Sequence, residues 1–197
     1  MTTRQSLLKF FYPFWKIFAR SKKENTISLS NDKNAIPSIS FYSLNAIKND
    51  GSIFSFEQLK GKKVLLVNTA SDCGYTAQYA ELQKLYEQYA ESLVILAFPA
   101  NDFKEQEKES DANIALFCER NYGVTFPLMQ KSSVIKSEHQ NPIFTWLSDA
   151  KQNGWCNQTP SWNFCKYLVN ENGLLIHFFA SAISPLSNEV KNTILQS

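Results

Sequence analysis

The chain has 197 residues, 19% of them charged, and a net charge of +2, which is enough for one α/β domain with an extension and short for two. So balanced a charge argues against a nucleic-acid surface. Four cysteines, none in a CxxC, and only two histidines, His139 and His177, argue against a structural zinc site and leave thiol redox chemistry open.

The basic excess is N-terminal: Arg4, Lys9, Lys16, Arg20, Lys22 and Lys23 all precede the first acid, Glu24. Ser6 can cap a helix from Leu7 to Arg20. At about 100° per residue, Leu7, Leu8, Phe10, Phe11, Phe14, Trp15, Ile17 and Phe18 share one half of the wheel, while Lys9, Lys16 and Arg20 share the other with Pro13 beside them. Three readings stay open: a membrane-surface helix over residues 7–20, an export signal ending at Ala19-Arg20-Ser21, and a helix packed on the domain or a partner. No run approaches the ~20 apolar residues of a membrane span. The expected location is the cytoplasm, with peripheral membrane association and export as the alternatives. Residues 1–23 therefore form an amphipathic unit, residues 24–38 a polar linker, and residues 39–197 the folded domain.

Within the domain, Phe41-Tyr42-Ser43-Leu44 and Ser52-Ile53-Phe54-Ser55 flank Asn49-Asp50-Gly51 and predict an antiparallel hairpin. The spacing then predicts a buried strand over 63–68, a helix over 76–90, a second buried strand over 93–98 and a helix over 111–121. A helix over 142–150 precedes strands 164–169 and 174–179, joined by Asn170-Glu171-Asn172-Gly173, and a last helix starts near Pro185. Parallel strands with a crossover helix, then an antiparallel pair, predict a thioredoxin-like α/β fold: a central mixed sheet flanked by helices, with an N-terminal β-hairpin.

Cys73 stands where strand 63–68 ends and the following helix begins. At a helix N-terminus, free N–H groups and the macrodipole favour thiolate, the nucleophilic form, provided the site is accessible; the alternative is a small buried core residue.

The segment Asn68-Thr69-Ala70-Ser71-Asp72-Cys73-Gly74-Tyr75-Thr76 resembles the peroxidatic motif of the glutathione peroxidase family. Phe98-Pro99-Ala100-Asn101-Asp102-Phe103 with Gln106-Glu107, and Trp162-Asn163-Phe164, resemble its second and third motifs, so that the likeness runs from about Phe41 to Ile194. It implies a catalytic tetrad of Cys73, Gln106, Trp162 and Asn163, acting without cofactor or metal. The chemistry accounts for the set: two amides and an indole N–H are donors without titrating protons, suited to a sulfur anion and a departing alkoxide, and the product is a Cys73 sulfenic acid. Two departures stand out. Ala100 replaces a family cysteine, and Lys104-Glu105 replaces a Gly-Gly whose backbone freedom Lys and Glu lack.

The resemblance further implies that Cys118, within Asn113 to Pro127, is the resolving cysteine of the thioredoxin-dependent branch. A Cys73–Cys118 bridge requires local unwinding of the second helix, because the Cα atoms must come within ~7 Å. Cys156 and Cys165 read as structural. The short stretch between Trp146 and Trp162 lacks the insertion of oligomeric, glutathione-using relatives and predicts a monomer with an open site. The implied substrates are hydrogen peroxide and organic or lipid hydroperoxides, with thioredoxin or glutathione as reductant. A membrane-associated redox sensor, passing oxidation from Cys73 to a partner protein, is the alternative.

Overall fold

A computed structural model describes residues 26–196; the helix expected over residues 7–20 lies outside them. A five-stranded mixed sheet in the order β1-β7-β6-β4-β5 forms the centre. Its strands are β1 (Ser28–Ser30), β4 (Lys63–Thr69), β5 (Leu93–Pro99), β6 (Lys166–Val169) and β7 (Leu175–Phe179). β4 is buried at all seven positions and pairs parallel with β5 and antiparallel with β6. A parallel pair needs a crossover, and helix α1 (Gln78–Gln88) supplies it.

Alternation along β4 and β5 sorts two apolar layers. Leu65 and Val67 of β4 and Ile95 of β5 pack against Tyr79, Leu82 and Leu85 of α1, against Ile114 and Cys118 of α2 (Asp111–Tyr122), and against Val190 and Ile194 of α5 (Asn188–Gln196). Val64, Leu66, Leu96 and Phe98 face the other way, toward Ile143, Phe144, Trp146 and Leu147 of α3 (Pro142–Leu147). This second layer also takes in Phe41 and Phe56 from two 3-10 turns beside the hairpin of β2 (Asn45–Ile47) and β3 (Ile53–Ser55). Asn141, Pro142 and a side-chain bond to Ile143 N–H start α3, and Asp149 caps the single turn α4 (Ala150–Asn153).

The elements follow the expected order with two corrections. The first hairpin strand sits at Asn45–Ile47 rather than 41–44, because Phe41–Ser43 coils into a 3-10 turn that buries Phe41. Second, the polar stretch 24–38 is not a free linker. Ser28–Ser30 pairs antiparallel with Phe179–His177, and the buried Asn31 side chain donates to the carbonyls of Ala35 and Leu175 at 3.0 and 3.1 Å. Strand pairing here uses backbone groups and one amide, so apolar periodicity gives no sign of it.

Candidate active site

After Lys63, β4 is apolar until Asn68, and a fully buried amide there must find partners. Its Nδ2 donates to the Trp162 carbonyl and to Asn163 Oδ1, both at 3.1 Å, and its Oδ1 accepts from Cys165 N–H at 3.0 Å. The end of β4 thus fixes the third motif beside it. Asn163 Nδ2 in turn donates to Gln106 Oε1 at 3.2 Å, and the Gln106 carbonyl accepts from Asp72 N–H at 3.0 Å. Gln106 and Asn163 therefore touch, and Gln106 is tied to Asp72, the residue before Cys73.

Cys73 lies in a tight turn five residues before α1. Thr76 Oγ1 accepts from Cys73 N–H at 2.9 Å, and the Cys73 carbonyl accepts from Thr76 N–H at 3.1 Å. The same turn points Tyr75 N–H at the sulfur, 3.4 Å away. The thiol is fully buried, and burial pushes it up to about 12 against the donors Tyr75 N–H, the Trp162 indole and Gly74 N–H. Of the two readings of Cys73 that the sequence left open, the accessible thiolate is not what this closed arrangement shows. Desolvation outweighs the donors in this closed arrangement, and the donors come from a turn and an indole rather than from a helix end. The expected open site is closed over the sulfur in the same way.

Beneath the turn, Glu107 is buried and accepts from Ser71 N–H at 2.8 Å and Ser71 Oγ at 2.7 Å, while its own N–H donates to Asn101 Oδ1 at 2.9 Å. Burial raises its carboxyl to about 7, against the Ser71 donors and the Lys131 charge. Asn68, Ser71, Thr76 and Glu107 hold the site together, yet sequence reasoning gave none of them a role. Of these only Asn68 carried a signal, a polar residue inside a run that had to be buried.

The Lys104-Glu105 departure resolves into a turn. Gln106 N–H donates to the Phe103 carbonyl at 3.2 Å across two residues of positive φ, Lys104 at 51° and Glu105 at 52°. These are the left-handed angles a type I′ turn demands of both central residues, and non-glycine residues adopt them at a cost. Phe103 packs on Trp162 with ring centroids 5.6 Å apart, and the Lys104 ammonium stands 5.6 Å from the Trp162 ring. Phe164, buried, is also left-handed at φ 73°, so three strained residues flank the site.

Cys118 is buried in the last turns of α2, where its thiol meets the Tyr79 hydroxyl; burial pushes it up to about 12, the Tyr79 hydroxyl lowers it and the Glu107 charge raises it. It shares the apolar layer of Cys73, whereas Cys156 and Cys165 lie in the opposite layer. All four thiols are free. Among the described residues no cluster of His, Cys, Asp and Glu is suited to hold a metal ion.

Residues 41–148 match the family model for glutathione peroxidase. The chain is 44% identical to glutathione peroxidase-like peroxiredoxin 2 of Saccharomyces cerevisiae over 75% of its own length and 91% of that protein. Against glutathione peroxidase-like peroxiredoxin gpx1 of Schizosaccharomyces pombe it is 44% identical over 78% and 98%. Among solved structures it is similar to Trgpx in apo form, with TM-score 0.63, 31% identity, and 81% and 95% coverage of the two chains. T. cruzi GPX1 gives TM-score 0.62 at 25% identity, over 79% and 94%. A thioredoxin family protein of Chlorobium tepidum, at 16% identity and TM-score 0.56 over 82% and 94%, shares the fold alone.

Proposed function

The chain belongs to the glutathione peroxidase family, and from that premise we propose that Cys73 is its peroxidatic thiol, with Gln106, Trp162 and Asn163 as the donors around the reacting oxygens. The protein is a thiol peroxidase with a thioredoxin-like fold. What supports Cys73 is one convergence: the Tyr75 and Gly74 amides and the Trp162 indole all aim at its sulfur, backed by the paired amides of Gln106 and Asn163.

The Cys73 sulfur attacks the terminal peroxide oxygen. An S–O bond forms as the O–O bond breaks, the thiol proton goes to the departing oxygen, and the products are Cys73 sulfenic acid and water or an alcohol. Cys118 then attacks the sulfenic sulfur; the new S–S bond replaces S–O, and the Cys118 proton leaves with the hydroxyl as water. Thioredoxin, a dithiol, returns the disulfide to two thiols by exchange. Its candidacy over glutathione is supported by relatives named peroxiredoxin and by a second thiol in the same apolar layer. The chain acts as a monomer, and the helix expected over 7–20 holds it at a membrane surface, a reading supported by the opposed aromatic and basic faces of that sequence. No helix among the described residues is long and apolar enough to cross a membrane.

The test is a coupled assay with thioredoxin or glutathione and with hydrogen peroxide or an organic hydroperoxide, run on the native chain and on Cys73→Ser. Turnover should be thioredoxin-driven in the native chain and absent from a folded Cys73→Ser; full activity in that variant sinks the assignment.

A further inference from the structure

A strained turn that points a charged side chain at the reactive centre needs a reason. Lys104 and Glu105 occupy both left-handed positions of the Phe103–Gln106 turn, where glycine would sit without strain. The result is an exposed ammonium 5.6 Å from the ring of Trp162, whose indole faces the Cys73 thiol. Among the described residues Lys104 makes no ion pair. Glu105, its neighbour, is engaged by Lys108 at 2.8 Å.

The surroundings give a direction to anything that reaches Cys73. Asp72 lies next to the sulfur, and its charge disfavours a second anion there. Phe103 and Trp162, packed together and each partly exposed, form an apolar strip beside the thiol. Lys104 stands over that strip as the cation. A hydroperoxide with an apolar chain and a carboxylate at its far end matches the sequence of environments: peroxide at the sulfur, chain along the rings, carboxylate at the ammonium.

We propose that Lys104 is a specificity-determining residue for the peroxidase reaction and selects fatty-acid hydroperoxides, with their free carboxylate, over neutral hydroperoxides of the same chain. This rests on Cys73 as the reacting thiol with Trp162 beside it. The carboxylate takes no part in the chemistry, so the gain lies in kcat/KM through capture and orientation.

The experiment compares a linoleic acid hydroperoxide with its methyl ester, both below micelle-forming concentrations, each rate normalised to that for hydrogen peroxide. The native chain should favour the acid. Lys104→Gln should lower the acid-to-ester ratio of kcat/KM by about fivefold, Lys104→Glu should carry it below one, and Lys104→Arg should preserve it. An unchanged ratio in Lys104→Gln overturns the proposal. So does an equal loss on all three peroxides, which would assign Lys104 to the packing of Trp162 alone. A native chain that reduces no peroxide at all defeats the underlying peroxidase reading, an outcome separate from these.

Discussion

Cys73, enclosed and with its thiol pushed up by burial, depends on donors already aimed at its sulfur, and among the described residues Trp162 contributes the one side-chain N–H that reaches it. Trp162→Phe keeps a ring against Phe103 but removes the indole donor, and should lower kcat/KM for hydrogen peroxide by roughly tenfold to a hundredfold in the coupled assay. Glu107 offers a test in pH. Its carboxyl stands near 7 when folded and near its ordinary value when unfolded, so between about pH 4.5 and 7 the folded state holds the extra proton. Stability is therefore highest below that window and falls as pH rises through it. Glu107→Gln removes the titration. The stability difference between native chain and variant, from urea unfolding at pH 5 and 7.5, should move against the native chain by at most about 3 kcal/mol. The four residues proposed as the tetrad could be picked out because motif order survives in one sequence. Their supports were not, since whether Glu107 is a solvated acid or a buried one depends on Ser71, 36 positions earlier.

Helix α2 carries the conformational demand of the proposed resolving step. Ser110 caps its start, and Gly123 ends it in the left-handed conformation at φ 62°, with Gly123 N–H donating to Glu119 O at 2.9 Å and Val124 N–H to Cys118 O at 3.3 Å. Those end bonds secure the turn that holds Cys118. Gly123→Ala strains the cap by about 1 kcal/mol and should fray that turn. The expected outcome is a melting temperature lower by a few degrees together with faster Cys73–Cys118 bridge formation after one equivalent of peroxide, followed by peptide mapping. A slower bridge would place the barrier elsewhere. The helix itself was legible from the spacing over residues 111–121. The 3-10 turn at Phe41–Ser43 was not, because alternation in Phe41-Tyr42-Ser43-Leu44 reads as strand, and burial of Phe41 against Phe56 and Trp146 decides otherwise.

At the scale of the whole molecule, the N-terminal 38 residues divide into two parts with different consequences for deletion. Removing residues 1–25 leaves β1 in place, and the shortened protein should lose binding to anionic vesicles while retaining turnover of hydrogen peroxide, measured by co-sedimentation and the coupled assay. Removing residues 1–38 takes away β1 as well. The central sheet is bordered by β5, where Ala97 bonds to the backbone of Pro127 and Met129, and by β1, which lies along β7. Without β1, the β7 backbone groups that now pair with Ser28–Ser30 would be an unpaired ribbon, the kind of surface on which two chains join. The longer deletion should therefore associate with itself as concentration rises, seen by light scattering, whereas the shorter one stays dispersed. On this expectation, the three residues Ser-Leu-Ser of β1 are what keeps the β7 edge from pairing with a second copy of the chain.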